Sequence, residues 1–63
     1  MIPEYNQIDF EKDDLGVVKA KIAILETAVK DGRLSEAEFL EEKTRVLKAY
    51  EAVKPKLGYA FTW

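Results

Sequence analysis

Residues 30–39 read Lys30-Asp31-Gly32-Arg33-Leu34-Ser35-Glu36-Ala37-Glu38-Phe39, a helix stop followed at once by a helix start. Gly32 is the stop, because glycine enters the left-handed conformation that ends helices without the clash a Cβ would bring. Ser35 is the start. Its hydroxyl is placed to accept from the Glu38 amide, with Glu38 reaching back, as in a capping box. Leu34 and Phe39 bracket that cap at the positions of a hydrophobic staple. So short a connection leaves the flanking helices antiparallel, as an αα-hairpin.

Upstream of this turn, Leu15, Val18, Ile22, Leu25 and Val29 recur at spacings of 3, 4, 3 and 4, which is one stripe of a helix. Asp13 or Asp14 caps its beginning, and Lys30 places a cation in its last turn. Gly16 near the start is a mild cost. Downstream of Ser35, Phe39, Leu40, Val46, Leu47, Tyr50 and Val53 continue at helical spacing. Pro55 then removes a donor and biases Lys54 away from the helix. The predicted fold class is all-α: an antiparallel two-helix hairpin, about 14–31 and 36–54, inside a single small domain. Residues 1–12 form an extended lead segment, residues 13–54 the hairpin and residues 55–63 an aromatic tail.

Composition narrows the function classes. The chain has 63 residues, 12 acids, 10 bases, and neither His nor Cys. Nucleophilic or metal chemistry that relies on imidazole or thiolate is therefore absent. Without cysteine there is no disulfide staple, which fits a reducing compartment. A domain this small hides only about 60% of its unfolded surface, so folding alone is plausible but marginal. At 48% hydrophobic the chain is too apolar for a disordered tail, and a net charge of -2 has the wrong sign for a general nucleic-acid binder. The opening Met1-Ile2-Pro3-Glu4-Tyr5 lacks the basic then apolar run of a secretion signal. No window approaches the roughly 18 apolar residues that span a bilayer. The expectation is a cytoplasmic protein, or a virion component if the source is a phage, that carries no cofactor.

The acidic residues form no convincing chemical motif. The run from Asp31 to Phe39 looks like the second half of a calcium-binding EF-hand loop, but the first two ligand positions fall on Thr27 and Val29, where Asp is needed. Asp9, Glu11, Asp13 and Asp14 read as a solvated entry to the first helix. The pairs Glu36/Glu38 and Glu41/Glu42 lack a pocket to shift their pKa values, so no enzyme is expected. A helix-turn-helix reader needs a basic face on its second helix. Arg45 and Lys48 lie there beside Glu38, Glu41, Glu42 and Glu51, so nucleic acid is not the expected partner.

The surfaces are more informative. At roughly 100° per residue the first helix carries a second apolar strip, Val17, Ile24 and Ala28, with Lys21 between it and the main one. One partner helix cannot cover both strips. The second is covered by the lead segment or tail, or by another protein surface, such as a second copy of the chain, or is simply exposed, as single apolar residues often are. On the second helix Lys43 projects into the face made by Phe39, Val46, Leu47 and Tyr50. It either lays its methylenes there and lifts its ammonium to water, or makes a specific salt bridge. Residues 1–14 hold five acids and one base, for -4, and residues 43–63 hold five bases and one acid, for +4. An antiparallel hairpin brings these ends together. The tail, Leu57 to Trp63, places Tyr59, Phe61 and Trp63 in the last five residues, either folded back on the hairpin or docked elsewhere. The candidate partner-binding residues are therefore Val17, Ile24, Ala28, Tyr59, Phe61 and Trp63.

Residues 25–47, with the Lys-Asp-Gly-Arg-Leu-Ser-Glu-Ala-Glu-Phe core and Lys43 and Leu47 downstream, resemble the short C-terminal (SHOCT) domain of bacterial and phage proteins. That family is a helical hairpin with a leucine-bearing helix, then Gly-x-[Ile/Leu]-[Thr/Ser]-x-x-Glu-Phe. The resemblance implies a prokaryotic or phage origin and an association role, with no catalytic residues to carry over. This chain departs from the pattern in having the hairpin central, no host domain and an aromatic tail after it. The expected function is a small non-catalytic structural or interaction subunit that docks its hairpin and tails on a larger assembly, or self-associates. The alternative is a small regulatory binder, such as an antitoxin-like or inhibitor protein.

Overall fold

A computed structural model describes all of residues 1–63. Helix α1 spans Leu15–Lys30 and α2 spans Glu36–Val53, followed by a single 3-10 turn over Lys54–Lys56. There is no strand, and the all-α hairpin expected from the sequence is what the chain adopts. The Asp14 carboxylate accepts from the Val17 amide at 2.9 Å, making Asp14 rather than Asp13 the cap of α1. At the other end Gly32 has φ 75°. The Arg33 amide donates to the Ala28 carbonyl at 2.9 Å and the Gly32 amide to the Val29 carbonyl at 3.1 Å, the paired bonds of a Schellman stop. Ser35 Oγ accepts from the Glu38 amide at 3.1 Å and opens α2. The Glu38 carboxylate accepts the Ser35 hydroxyl at 3.2 Å and, from the lead segment, the Met1 ammonium at 3.2 Å.

The end of α2 differs from expectation. Lys54 keeps helical angles, φ -45° and ψ -46°, although a proline follows it. Pro55 sits in the first turn of the 3-10 segment, where its missing donor has no partner to lose. The chain thus tightens before it leaves the helix, and the Leu57 amide closes the turn on the Lys54 carbonyl at 3.3 Å.

Two helices alone would leave much apolar surface bare, and the rest of the chain covers it. The lead segment runs along α2 in the same direction. Met1 meets Glu38, the Tyr5 hydroxyl meets Glu42, the Ile8 carbonyl meets Arg45, and the Phe10 ring lies 5.6 Å from that of Tyr50. Ile2, Tyr5, Ile8 and Phe10 are all buried. The tail runs the opposite way, past Asp13 and Tyr50 and back to Phe39 near the start of α2. Val18, Leu25 and Val46 form the fully enclosed centre between these layers. Burying a side chain of that size contributes about 1.5–3 kcal/mol. The lead and tail are therefore structural parts of the core, and the molecule measures 35 × 19 × 17 Å.

Candidate functional site

The six residues singled out from the sequence do not share one surface. Phe61 is buried, with its ring 5.3 Å from Phe10 and 5.2 Å from Tyr50. Its amide donates to the Tyr50 hydroxyl at 3.3 Å. Tyr59 is half-buried and donates its hydroxyl to the Asp13 carbonyl at 3.2 Å. Trp63 is half-buried and packs edge-on against Phe39 at 5.6 Å. The Lys43 ammonium, the odd cation on that face, stands 5.8 Å from the Trp63 ring centroid, a cation–π contact in place of a salt bridge. Of the two fates open to the tail, folding back on its own hairpin is the one realised. Ala28 is fully enclosed, Ile24 is half-buried, and Val17 is exposed.

Long-range polar contacts hold the lead in place. The Glu42 carboxylate is buried on α2 and accepts from the Tyr5 hydroxyl. Arg45, one turn on, donates to the same carboxylate from Nε at 3.0 Å and from Nη2 at 2.7 Å. Its Nη2 also donates to the Ile8 carbonyl at 3.1 Å. Burial alone would push the Glu42 carboxyl up, but the hydrogen bonds from Arg45 and Tyr5 outweigh it and hold it below the usual range. Burial, and then the bond to Glu42, push the Tyr5 phenol up to about 12. Lys21 of α1 ties the same segment from the other side, donating to Asp13 at 2.6 Å and to the Gln7 carbonyl at 3.2 Å. No buried side-chain polar atom lacks a partner. This network is satisfied and closed, which marks it as a fastening for the lead.

The charge sorting of the sequence has a different outcome from the one expected. The acids of the lead pair with α1 and the interhelical loop, as Asp13 with Lys21 and Glu4 with Arg33 at 2.7 Å. Lys48, Lys54 and Lys56 make no ion pair. They are exposed at the far end of α2, while the lead's two ion-paired acids are taken by Lys21 and Arg33.

One surface stays uncovered. On the outer side of α1, Gly16, Val17, Ala20, Ala23 and Thr27 are exposed and Ile24 is half-buried. None of the six carries a charge. At about 100° per residue they occupy an arc of roughly 120°. Lys19, Glu26 and Lys30 line one flank of the arc, and Val17 and Ile24 form the other. Glu4, Ala23, Ile24, Thr27 and Arg33 enclose a shallow groove along it. Sequence reasoning found Val17 and Ile24 but missed the small residues Gly16, Ala20, Ala23 and Thr27. Their spacings of 4, 3 and 4 were legible, but small residues give a weak hydrophobic signal. The four grooves on the molecule are all open and shallow, and no three acidic side chains converge as a metal site. No helix is long and apolar enough to cross a membrane.

Comparison with family models, curated proteins and solved structures finds no match for this chain.

Proposed function

We propose that this protein is a small non-catalytic interaction subunit that docks on a protein partner through the outer face of α1. One observation carries the reading: an uncharged strip of six residues, Gly16, Val17, Ala20, Ala23, Ile24 and Thr27, lies uncovered along a helix whose other faces are packed or charged. In a chain that is 35% charged, the exposed face of α2 interleaves Ala37, Leu40 and Thr44 with Glu41, Lys48 and Glu51, so only the α1 strip runs the length of a helix without a charge. Small side chains allow another backbone to approach closely, and Val17 and Ile24 supply apolar contact beside them. The resemblance of residues 25–47 to the SHOCT hairpin points to the same association role. The tails, being part of the core, are not free to serve as arms, so the docking surface of this reading is the helix. That same packing favours a second reading, a compact regulatory binder that covers a partner's working surface.

Site-specific photo-crosslinking in the native host tests the proposal. A crosslinker at Ala23 should capture a protein species, including a second copy of this chain. The same group at Lys48, on the charged side of α2, should capture none. Equal yields at both positions, or none at Ala23, would overturn the reading.

A further inference from the structure

The exposed face of α1 is complementary to itself in one orientation. We infer that its occupant is a second copy of the chain, with the two α1 helices antiparallel about a two-fold axis between Ala20 and Ala23. The inference rests on the interaction reading above and names the partner.

The orientation is set by what lies on either flank of the strip. In an antiparallel helix pair each flank meets the same flank of the other copy, whereas in a parallel pair the two different flanks meet. Here the helix's own flanks differ in kind, one carrying Lys19, Glu26 and Lys30 and the other Val17 and Ile24, with the mutually neutralised Glu4–Arg33 pair beyond Ile24. Parallel pairing would set charge against aliphatic side chains. Antiparallel pairing sets charge against charge and Val17 against Ile24 of the second copy.

Register then follows from the charges. With Ala20 opposite Ala23 of the second copy, Gly16 faces Thr27 across the seam, so no side chain larger than threonine lies at the closest approach. In the same register Lys19 lies beside Glu26 of the second copy, and the two-fold axis repeats the pair. Lys30, in the last turn of the same flank, lies past the start of the other helix and faces no acid of it. Both copies of the Lys19–Glu26 contact join opposite signs. The remaining charged residue of α1, Lys21, is already engaged with Asp13 and lies off the seam.

The surface is small. One face of a 16-residue helix falls short of the roughly 1,200 Å² at which stable interfaces begin. Association is therefore in the micromolar range or weaker, and the rim charges set orientation more than strength.

Sedimentation equilibrium on the full chain, from about 1 μM to about 1 mM, tests this. The expected result is a reversible monomer–dimer equilibrium. Ala23→Glu, which places a charge in the seam while leaving the core untouched, should give a monomer with unchanged circular dichroism. Lys19→Glu and Glu26→Lys should each weaken the dimer by about tenfold, since either one turns both pairs repulsive. The double variant should recover most of the loss, because the two exchanged charges again attract across the axis. A monomer at every concentration, a dimer indifferent to Ala23→Glu, or a double variant no better than the singles would each overturn the inference. If the chain is monomeric but crosslinks a different protein at Ala23, the self-pairing fails and the interaction reading stands. Absence of both removes the two together.

Discussion

Replacing Glu42 by Gln keeps the shape of the side chain and removes the charge on which the lead's attachment depends. The carboxylate accepts from Tyr5 and from two nitrogens of Arg45, and Arg45 in turn holds the Ile8 carbonyl. Stripping one partner from a fully buried ion pair costs about 3–5 kcal/mol. Glu42 is 8% exposed along its side chain but Arg45 is 35% exposed, so solvent screens part of the pair and about 2–3 kcal/mol is the better figure. A chain of 63 residues has on the order of 3–9 kcal/mol in total. At about 4–8 °C per kcal/mol, the melting temperature should fall by about 10–20 °C. The effect also has a pH signature. Glu42 is depressed in the folded state, so its contribution is present above the unfolded value and lost as pH falls through the folded one. The folded value lies below 4.5. Thermal melts followed by circular dichroism should therefore show a wide gap between Glu42→Gln and the parent at neutral pH. That gap should narrow as pH drops below about 4. A shift of less than about 3 °C at neutral pH, or a gap of constant width into acid, would refute the network as the lead's fastening.

The remaining expectations concern turns and the tail. Gly32→Ala should cost about 1–2 kcal/mol in a denaturant titration, all of it conformational, since φ is 75° and a Cβ there meets nothing within 4 Å. Gly58→Ala, equally open but without positive φ, should be neutral or slightly stabilising in the same titration. Ser35→Ala removes the acceptor for the Glu38 amide and should lower stability by about 0.5–2 kcal/mol, an unchanged midpoint refuting the cap. Phe61→Ala empties the space between Phe10 and Tyr50 and should cost about 3–5 kcal/mol, read as lost thermal cooperativity. A cooperative melt at the parent temperature would show that the tail is an appendage.

The helices and the turn between them were legible in the chain because their signals are local. Asp14, Gly32 and Ser35 act on amides or dihedrals within a few residues of themselves, and the stripe from Leu15 to Val29 needs only its own spacing. Lys54 stayed helical against the local bias of Pro55, since a short 3-10 turn tolerates a proline that an α-helix does not. The attachments of the lead and tail were not legible. Tyr5 finds Glu42 at a separation of 37 positions and Tyr59 finds Asp13 at 46, and no periodicity encodes such a pairing. Ala28, Tyr59, Phe61 and Trp63 stayed open between folding back on the hairpin and docking on a partner, because apolar excess is visible in a sequence, while what covers it is not. The strip around Ala20 and Ala23 went unread for the opposite reason: small uncharged residues look like helix filler until the rest of the surface is known.

The way the lead and tail complete the core divides the molecule in time as well as in space. The turn from Ala28 to Glu38 closes over short chain separations and forms at low loop entropy, so it is available early. The contacts of Tyr5, Phe10, Tyr59 and Phe61 close long loops and reward the chain only once both helices stand. Substitutions at Gly32 and Ser35 should then slow folding, whereas those at Tyr5 and Phe61 should leave the folding rate nearly unchanged and speed unfolding, a contrast that stopped-flow chevrons display directly. The two ends thus act as a latch: they set how long the folded state lasts, while the hairpin sets how soon it is reached.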